Sequence, residues 1–336
     1  MPILDGSALI ENRVQAIRAL HGQLDNQGAQ LDVSGGIDSA VMLGLLAAAL
    51  GADNLTAVYS SIHSGDEFRL RARACAKAFG VALVEINLSM IFDELTDTMR
   101  AALGAAGADL GSVAKRIEAD RTVLGSLRSC LRAPVGRAFN RMTGGAIRHG
   151  TGNECEDRFI RFYQKGGDGE VDTNPIAMLS KGEVFQLARA LGVPREVIDA
   201  LPSPDLHGIG AAHNDEDELF ELTGVHWTYS KIDAESGDYV RTGSIERMSR
   251  FLDTGAEDAL FGQAQPTDEQ FAAWVDAAKL CFSGYESSEV LGLLRSARRL
   301  ERSSRHKANP NIPSLGERAD LLADGLLTNT LPAECS

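Results

Sequence analysis

Two glycines set between a short strand and an apolar helix constrain this chain more than any other feature. Ser34-Gly35-Gly36-Ile37-Asp38-Ser39 follows the alternating run Leu31-Asp32-Val33 and opens the segment Ala40 to Leu50, which has helical composition and spacing. Such a strand, loop and helix cradles a phosphate. The glycines let the backbone approach an anion, while Ser34, Ser39 and the free N–H groups face it with the positive end of the helix dipole. Asp38 is the odd member. A carboxylate inside an anion site repels phosphate unless a cation lies between them, so Asp38 predicts Mg²⁺ beside a nucleotide tail. The lysine of G-x-x-x-x-G-K-[ST] is missing, which excludes a Walker A loop.

Around this loop the chain alternates strands and helices. Leu9 to Leu24 keeps helical apolar spacing; Leu55 to Tyr59 and Ala82 to Ile86 read as strands, with helices over Asp66 to Phe79 and Met90 to Leu103. Strands separated by helices make an α/β fold, a doubly wound, mostly parallel sheet flanked by helices, with ligands at the carboxyl ends of the strands. Ala105 to Val113, rich in Gly and Ala, reads as a loose loop, followed by the basic run Arg128, Arg132, Arg137, Arg141 and Arg148. That run is either a solvated helix face or a set of substrate contacts. Ser180 and Glu183 have capping-box spacing, which puts Lys181 in a first helical turn. A cation there opposes the helix dipole, so Lys181 either answers an anionic ligand or is a plain surface lysine. The acidic run His213 to Glu218 reads as exposed.

With a net charge of −14 and a pI near 5.0, the surface suits neither nucleic acid nor an anionic membrane. A polyanionic substrate must then be handled by a few placed cations. The five cysteines are odd in number and lack C-x-x-C spacing, favouring reduced thiols and a cytoplasmic setting over disulfides or a zinc site. The N-terminus has no basic, apolar leader, and no segment approaches a membrane span.

The loop resembles the pyrophosphate loop of N-type ATP pyrophosphatases. Gly150-Thr151-Gly152-Asn153-Glu154-Cys155-Glu156, Lys165-Gly166-Gly167-Asp168-Gly169-Glu170-Val171-Asp172, Pro175, Lys181, Leu191-Gly192-Val193-Pro194 and Pro202-Ser203-Pro204-Asp205-Leu206 then follow in order, with His306-Lys307 near the end. Together they resemble the ammonia-dependent NAD synthetase family, of which this chain looks like a divergent member. The resemblance implies that Ser34, Gly35, Gly36, Ile37, Asp38 and Ser39 hold pyrophosphate, that Asp38 and Glu156 ligate Mg²⁺, and that Thr151, Lys181 and Ser203 contact ATP. It also implies substrate contacts at Arg132, Lys165, Asp172, His306 and Lys307. The implied reaction joins a carboxylate to AMP, releases pyrophosphate, and replaces AMP by ammonia. Asp38 and Lys181 serve as its catalytic charges, and Asp172 or Asp168 as acceptor of the ammonia proton. No thiol nucleophile begins a glutaminase module, so ammonia comes from solution or a separate glutaminase, and the family's shared substrate site implies a homodimer.

The departures from the family concentrate on the acceptor side. Cys130 stands where the family has its first arginine, leaving Arg132 and the nearby Arg128 to compensate. Gly166 replaces a tyrosine, Asp32 a small or apolar residue, and Glu170 a glycine. The segment from about Phe220 to Leu300 is about twice the family length. This divides the chain into a synthetase-like domain (1–218), an inserted, helical elaboration (219–300) and a C-terminal segment (301–336). Two substrates compete on these grounds: deamido-NAD, or another carboxylate used by a paralogue in specialised metabolism. A nucleotide-binding protein without catalysis and a tRNA sulfur-transfer enzyme fit less well.

Overall fold

The computed structural model describes residues 6–120, 122–200 and 214–308. Its first half runs α1 (Gly6–Gln23), β1 (Ala29–Asp32), α2 (Ile37–Leu50), β2 (Leu55–Ser61), α3 (Asp66–Ala78), β3 (Leu83–Asn87), α4 (Ser89–Ala105), α5 (Leu110–Ala119), α6 (Thr122–Met142) and β4 (Ile147–His149). The four strands pair in the order β3-β2-β1-β4, all parallel, and Leu31 faces both Ala57 and His149 across the sheet. The order in which strands join the sheet therefore reverses at β1, with β2 and β3 on one side of it and β4 on the other. Loops leaving β1 and β4 diverge from their carboxyl ends and open a crevice there.

Helix α2 is apolar all round because it is covered all round. Ala40, Val41, Met42, Leu43, Leu45 and Leu46 have no exposed surface, and they join β1, β2 and the buried faces of α1 and α8 (Lys181–Leu191) in one core. Between β4 and α8 lies the short α7 (Glu154–Asp157), and after α8 come α9 (Arg195–Ile198) and α10 (Asp215–Thr223).

A second core belongs to the long segment beyond α10. It contains a two-stranded antiparallel pair, β5 (Lys231–Ile232) and β6 (Tyr239–Arg241), then α11 (Ser244–Phe251), a π-type turn (Leu252–Ala256), α12 (Glu257–Gly262), α13 (Asp268–Ala278) and α14 (Ser287–Ala308). Trp227, Phe251, Phe282, Leu293 and Leu294 fill this core, and the Trp227 indole N–H donates to Ser296 Oγ at 3.0 Å. Cys155 and Phe159, beside α7, lie in the same cluster, so the elaboration packs directly against the segment that follows β4. Helix α14 runs without a break through position 300, where the sequence reading draws a division.

Three expectations change. The loose stretch expected over Ala105 to Val113 is confined to residues 106–109, because the Asp109 side chain accepts from Gly111 N at 3.0 Å and caps α5. Lys181 is not a surface lysine but 1% exposed. The acidic run is not uniformly exposed, since Asp215 is buried under the first turn of α10. Among the described residues no helix is long and apolar enough to cross a membrane.

Truncating Leu45 to alanine leaves a void where neither sheet nor helix can collapse. Leu45→Ala is expected to lower the unfolding free energy in urea by about 2–5 kcal/mol, and a loss below about 1 kcal/mol would contradict this packing.

Candidate functional site

The glycine loop takes its shape from its own hydroxyls and from α3. Gly35 sits at φ +82°, and a Cβ there would lie 2.3 Å from Phe68 O, so no other residue fits. Ser39 Oγ donates to Gly36 O at 2.9 Å and lies 3.2 Å from Ser34 Oγ, while Arg71 Nε donates to Gly35 O at 3.1 Å. Ser39 is thereby turned inward, whereas Ser34, Gly36, Ile37 and Asp38 line a cavity of about 570 Å³ at the carboxyl ends of the strands.

At the floor of this cavity three elements converge on one ammonium. The capping box at Ser180 and Glu183 starts α8, with Ser180 N donating to Glu183 Oε2 at 2.8 Å, and the Lys181 amide donates to Cys155 Sγ at 3.3 Å. Lys181 Nζ then donates to Asp38 Oδ2 on α2 at 2.6 Å and to Glu156 Oε1 on α7 at 2.7 Å. Asn153, fully buried, caps α7 by accepting from the Cys155 and Glu156 amides and donates to Asp38 Oδ1 at 3.0 Å. The Tyr229 ring lies 5.4 Å from Lys181 Nζ.

Burial disfavours a charged lysine, but Asp38, Glu156 and then Asp215 outweigh it and hold Lys181 well above the ordinary lysine range. The ammonium is permanent at any physiological pH. Glu156 is raised above the ordinary range, by burial first; Lys181 pulls it down and the nearby Asp38 pushes it up again. Burial also pushes Asp157 to about 7, with Glu156, Asp168 and Asp38 adding like-charge repulsion. Asp215 is pushed to about 8, again by burial, although Lys181 opposes the shift.

Of the other residues singled out in the sequence, Thr151, Arg132, Glu156, Asp168 and Lys307 reach the cavity wall. Arg132 Nε donates to Ser60 O at 3.1 Å, and Lys307 Nζ donates to Arg161 O and Tyr163 O at 2.9 and 2.7 Å. Arg128 does not line the wall: its guanidinium is buried 5.4 Å from the Phe92 ring centroid. Lys165 donates to His306 O at 3.4 Å, and neither residue lines the cavity. Asp172 also stands back, accepting from Arg148 N at 2.8 Å and lying 3.4 Å from Arg137 Nη1; Asp168, on the wall, accepts from Ser129 Oγ and Gln164 N, each at 2.8 Å. Ser203 lies outside the described residues. Sequence reading missed Tyr59, Phe68, Arg71, Tyr163, Asp215 and His149 on the wall. Only His149 had a pointer, its place directly before the Gly-Thr-Gly loop.

A glycine loop at a reversal point of a parallel sheet places the chain among nucleotide-binding α/β proteins. Residues 9–245 match the family model described as NAD synthase. The chain is 30% identical over 208 residues to the NH(3)-dependent NAD(+) synthetase of Methanococcoides burtonii, covering 62% of this chain and 70% of that one. It is 33% identical over 201 residues to the protein of the same name from Halobacterium salinarum, covering 58% and 69%. In fold it is similar to the NMN synthetase of Francisella tularensis, with a TM-score of 0.62 at 18% identity over 94% of this chain and 100% of that one. The chain belongs to the NAD synthase family and is an ATP-dependent ligase.

Behind the wall, His149 is paired with a second buried histidine, His21. His21 Nδ1 lies 2.6 Å from Asn26 O, which can only accept, so Nδ1 carries the proton and Nε2 is bare. His149 Nε2, 3.0 Å away, must therefore donate to it, and the rings stack at 5.2 Å. Burial, and then the neighbouring His21 ring, lowers His149 from 6.5 to about 4. An unfolded imidazole takes its proton near 6.5 and the folded one only near 4, so this group withdraws about 3 kcal/mol of stability as pH falls through that window. Histidine-selective NMR should show His149 as the neutral Nε2–H tautomer, titrating near 4; a midpoint at or above 6 would contradict the pairing.

Proposed function

We propose that this chain is an ammonia-dependent NAD synthetase, joining the nicotinate carboxylate of deamido-NAD to AMP and then to ammonia. The observation that carries the reading is Lys181, fixed between Asp38 and Glu156 beside a glycine loop shaped for phosphate, in a chain of the NAD synthase family. The loop backbone from Ser34 to Ser39 would bind the leaving pyrophosphate and orient ATP in line with the attacking carboxylate. Lys181, charged at every relevant pH, would neutralise charge gathering on the leaving oxygens. Thr151, Arg132 and Lys307 would position the two substrates, and Asp168 on the wall is better placed than Asp172 to receive the ammonia proton.

Asp38 and Glu156 offer the hard carboxylate oxygens that suit Mg²⁺. Among the described residues no third acidic, histidine or cysteine ligand gathers with them, which fits an ion held chiefly by the phosphates of ATP. When bound, Mg²⁺ would offset the negative charge on pyrophosphate. The 1–218 unit would carry this chemistry, with 219–300 as a bracing elaboration and 301–336 as the segment that brings Lys307 to the wall. Ammonia would come from solution or a separate glutaminase, and a cytoplasmic homodimer would be the working form. The four described cysteines are free thiols, in keeping with a reducing compartment. A paralogue acting on another carboxylate has less support, since the relatives matched in sequence are named NH(3)-dependent NAD(+) synthetases, while the NMN synthetase resembles this chain in fold alone.

Pure protein given Mg-ATP, ammonium and deamido-NAD is expected to form NAD, AMP and pyrophosphate in equal amounts. AMP release on some other acid without any NAD would transfer the activity to that acid. Asp38→Asn keeps the side-chain shape and is expected to slow pyrophosphate release by about 100-fold or more with an unchanged circular dichroism spectrum. Full activity in that variant would remove Asp38 from the reaction.

A further inference from the structure

The cations on the cavity wall are not all committed in the same way. Lys181 meets two carboxylates with its one positive charge, so the cluster it forms with Asp38 and Glu156 brings no surplus charge to an anion. Lys307 is turned to the backbone carbonyls of Arg161 and Tyr163. Arg71 differs from both. It lines the cavity from α3 beside the glycine loop, and its one hydrogen bond among the described residues runs from Nε to Gly35 O at 3.1 Å. Its Cζ lies 4.8 Å from the centroid of the Phe68 ring, one turn back on the same helix. Both Nη groups are left without a partner among the described residues, and neither is closed off from solvent. A chain of net charge −14 has carboxylates to spare, yet no described one pairs with this guanidinium.

Two contacts hold the guanidinium and leave its outer edge open. The Nε bond ties it to the glycine with the left-handed backbone, one residue before the N-cap of α2, and the Phe68 ring steadies its plane. A fork of N–H donors held in this way fits an anion with two or more oxygens, and it repels a cation. The anion that the Ser34 to Ser39 backbone is shaped for lies next to it. We propose that Arg71 is a pyrophosphate-binding residue, its two Nη groups reaching the phosphates that the glycine loop cradles. This rests on the ligase reading above and deepens it by naming the uncommitted protein cation that meets the leaving group. When the substrate carboxylate bonds the α-phosphorus, the electron pair of the broken P–O bond stays on pyrophosphate, and a guanidinium already in place meets it without reorganising. Propping the Gly35 carbonyl alone needs one neutral N–H and no charge. Glutamine can supply that, because its amide nitrogen stands at the same place along the side chain as Nε of arginine.

Calorimetric titration of the full chain with magnesium pyrophosphate and, separately, with AMP, which lacks the leaving phosphates, tests the assignment. Arg71→Gln keeps a donor for Gly35 O and removes the charge and the fork. It is expected to raise Kd for pyrophosphate by about tenfold or more, the factor that about 1.4 kcal/mol of lost charge-assisted contact produces, and to leave Kd for AMP unchanged. Arg71→Lys, which keeps the charge without the fork, should fall between wild type and Arg71→Gln. In steady state KM for Mg-ATP should rise in both variants, while those for ammonium and deamido-NAD hold. Unchanged pyrophosphate affinity in Arg71→Gln, or equal weakening of AMP and pyrophosphate, would overturn the assignment and leave Arg71 a prop for the loop. If Arg71→Gln does not fold, the same comparison on Arg71→Lys decides. Wild-type protein without affinity for pyrophosphate would overturn this assignment, whereas wild-type protein that binds pyrophosphate and forms no amide would sink the ligase reading alone.

Discussion

A lysine ammonium with 1% of its residue exposed survives only if carboxylates meet it, and in this molecule Asp38 and Glu156 do so at 2.6 and 2.7 Å. The three side chains come from α2, α7 and α8, so the ion pair ties the loop after β1 to the loop after β4 across the reversal point of the sheet. Local sequence sets up each partner. Gly35 and Gly36 bring the start of α2 to the crevice, Asn153 caps α7, and the Ser180–Glu183 box fixes the first turn of α8. With its charge permanent and its position fixed from three sides, Lys181 is ready for phosphate without reorganising.

The elaboration after α10 reinforces this arrangement from behind. Arg158, just past α7, bonds Glu154 at 3.0 Å and reaches Asp253 and Glu257 of the elaboration at 2.7 Å each. Arg250 pairs with Glu154 and with Asp253. Cys155 and Phe159 are buried in the same apolar cluster as Trp227 and Phe251. A half-buried network of this kind holds geometry more than it adds stability. The segment that sequence comparison would treat as surplus thus braces the turn that carries Glu156.

Much of this was legible before any coordinates, and what was legible is what local physics dictates. A glycine forced to positive φ, a capping box and an apolar helix state their structures in a few residues, so the glycine loop, α2 and α8 could be read directly. The order of motifs carried the family. Burial was not legible, because it is decided by which distant elements pack together. Lys181 offered two readings, a surface lysine or an answer to an anion, and the structure gave neither alone, pairing it with protein carboxylates. Asp215 looked like one acid in a solvated run until α10 turned it inward. Arg128 was the natural substitute for the arginine lost at Cys130, yet its side of α6 faces Phe92, and Arg132, one turn on, reaches the wall. The His21–His149 pair, 128 residues apart, left no trace in spacing at all.

The central claim is that Lys181 neutralises two carboxylates that would otherwise repel each other. Lys181→Met keeps the length and apolar stem and removes the charge, so its unfolding free energy, followed from mildly alkaline to mildly acidic pH, tests the claim directly. The account predicts a loss of about 3–5 kcal/mol in alkaline solution that shrinks as pH falls and Glu156, already raised by burial, takes up a proton. A loss that stays the same across that range, or no loss, would contradict it.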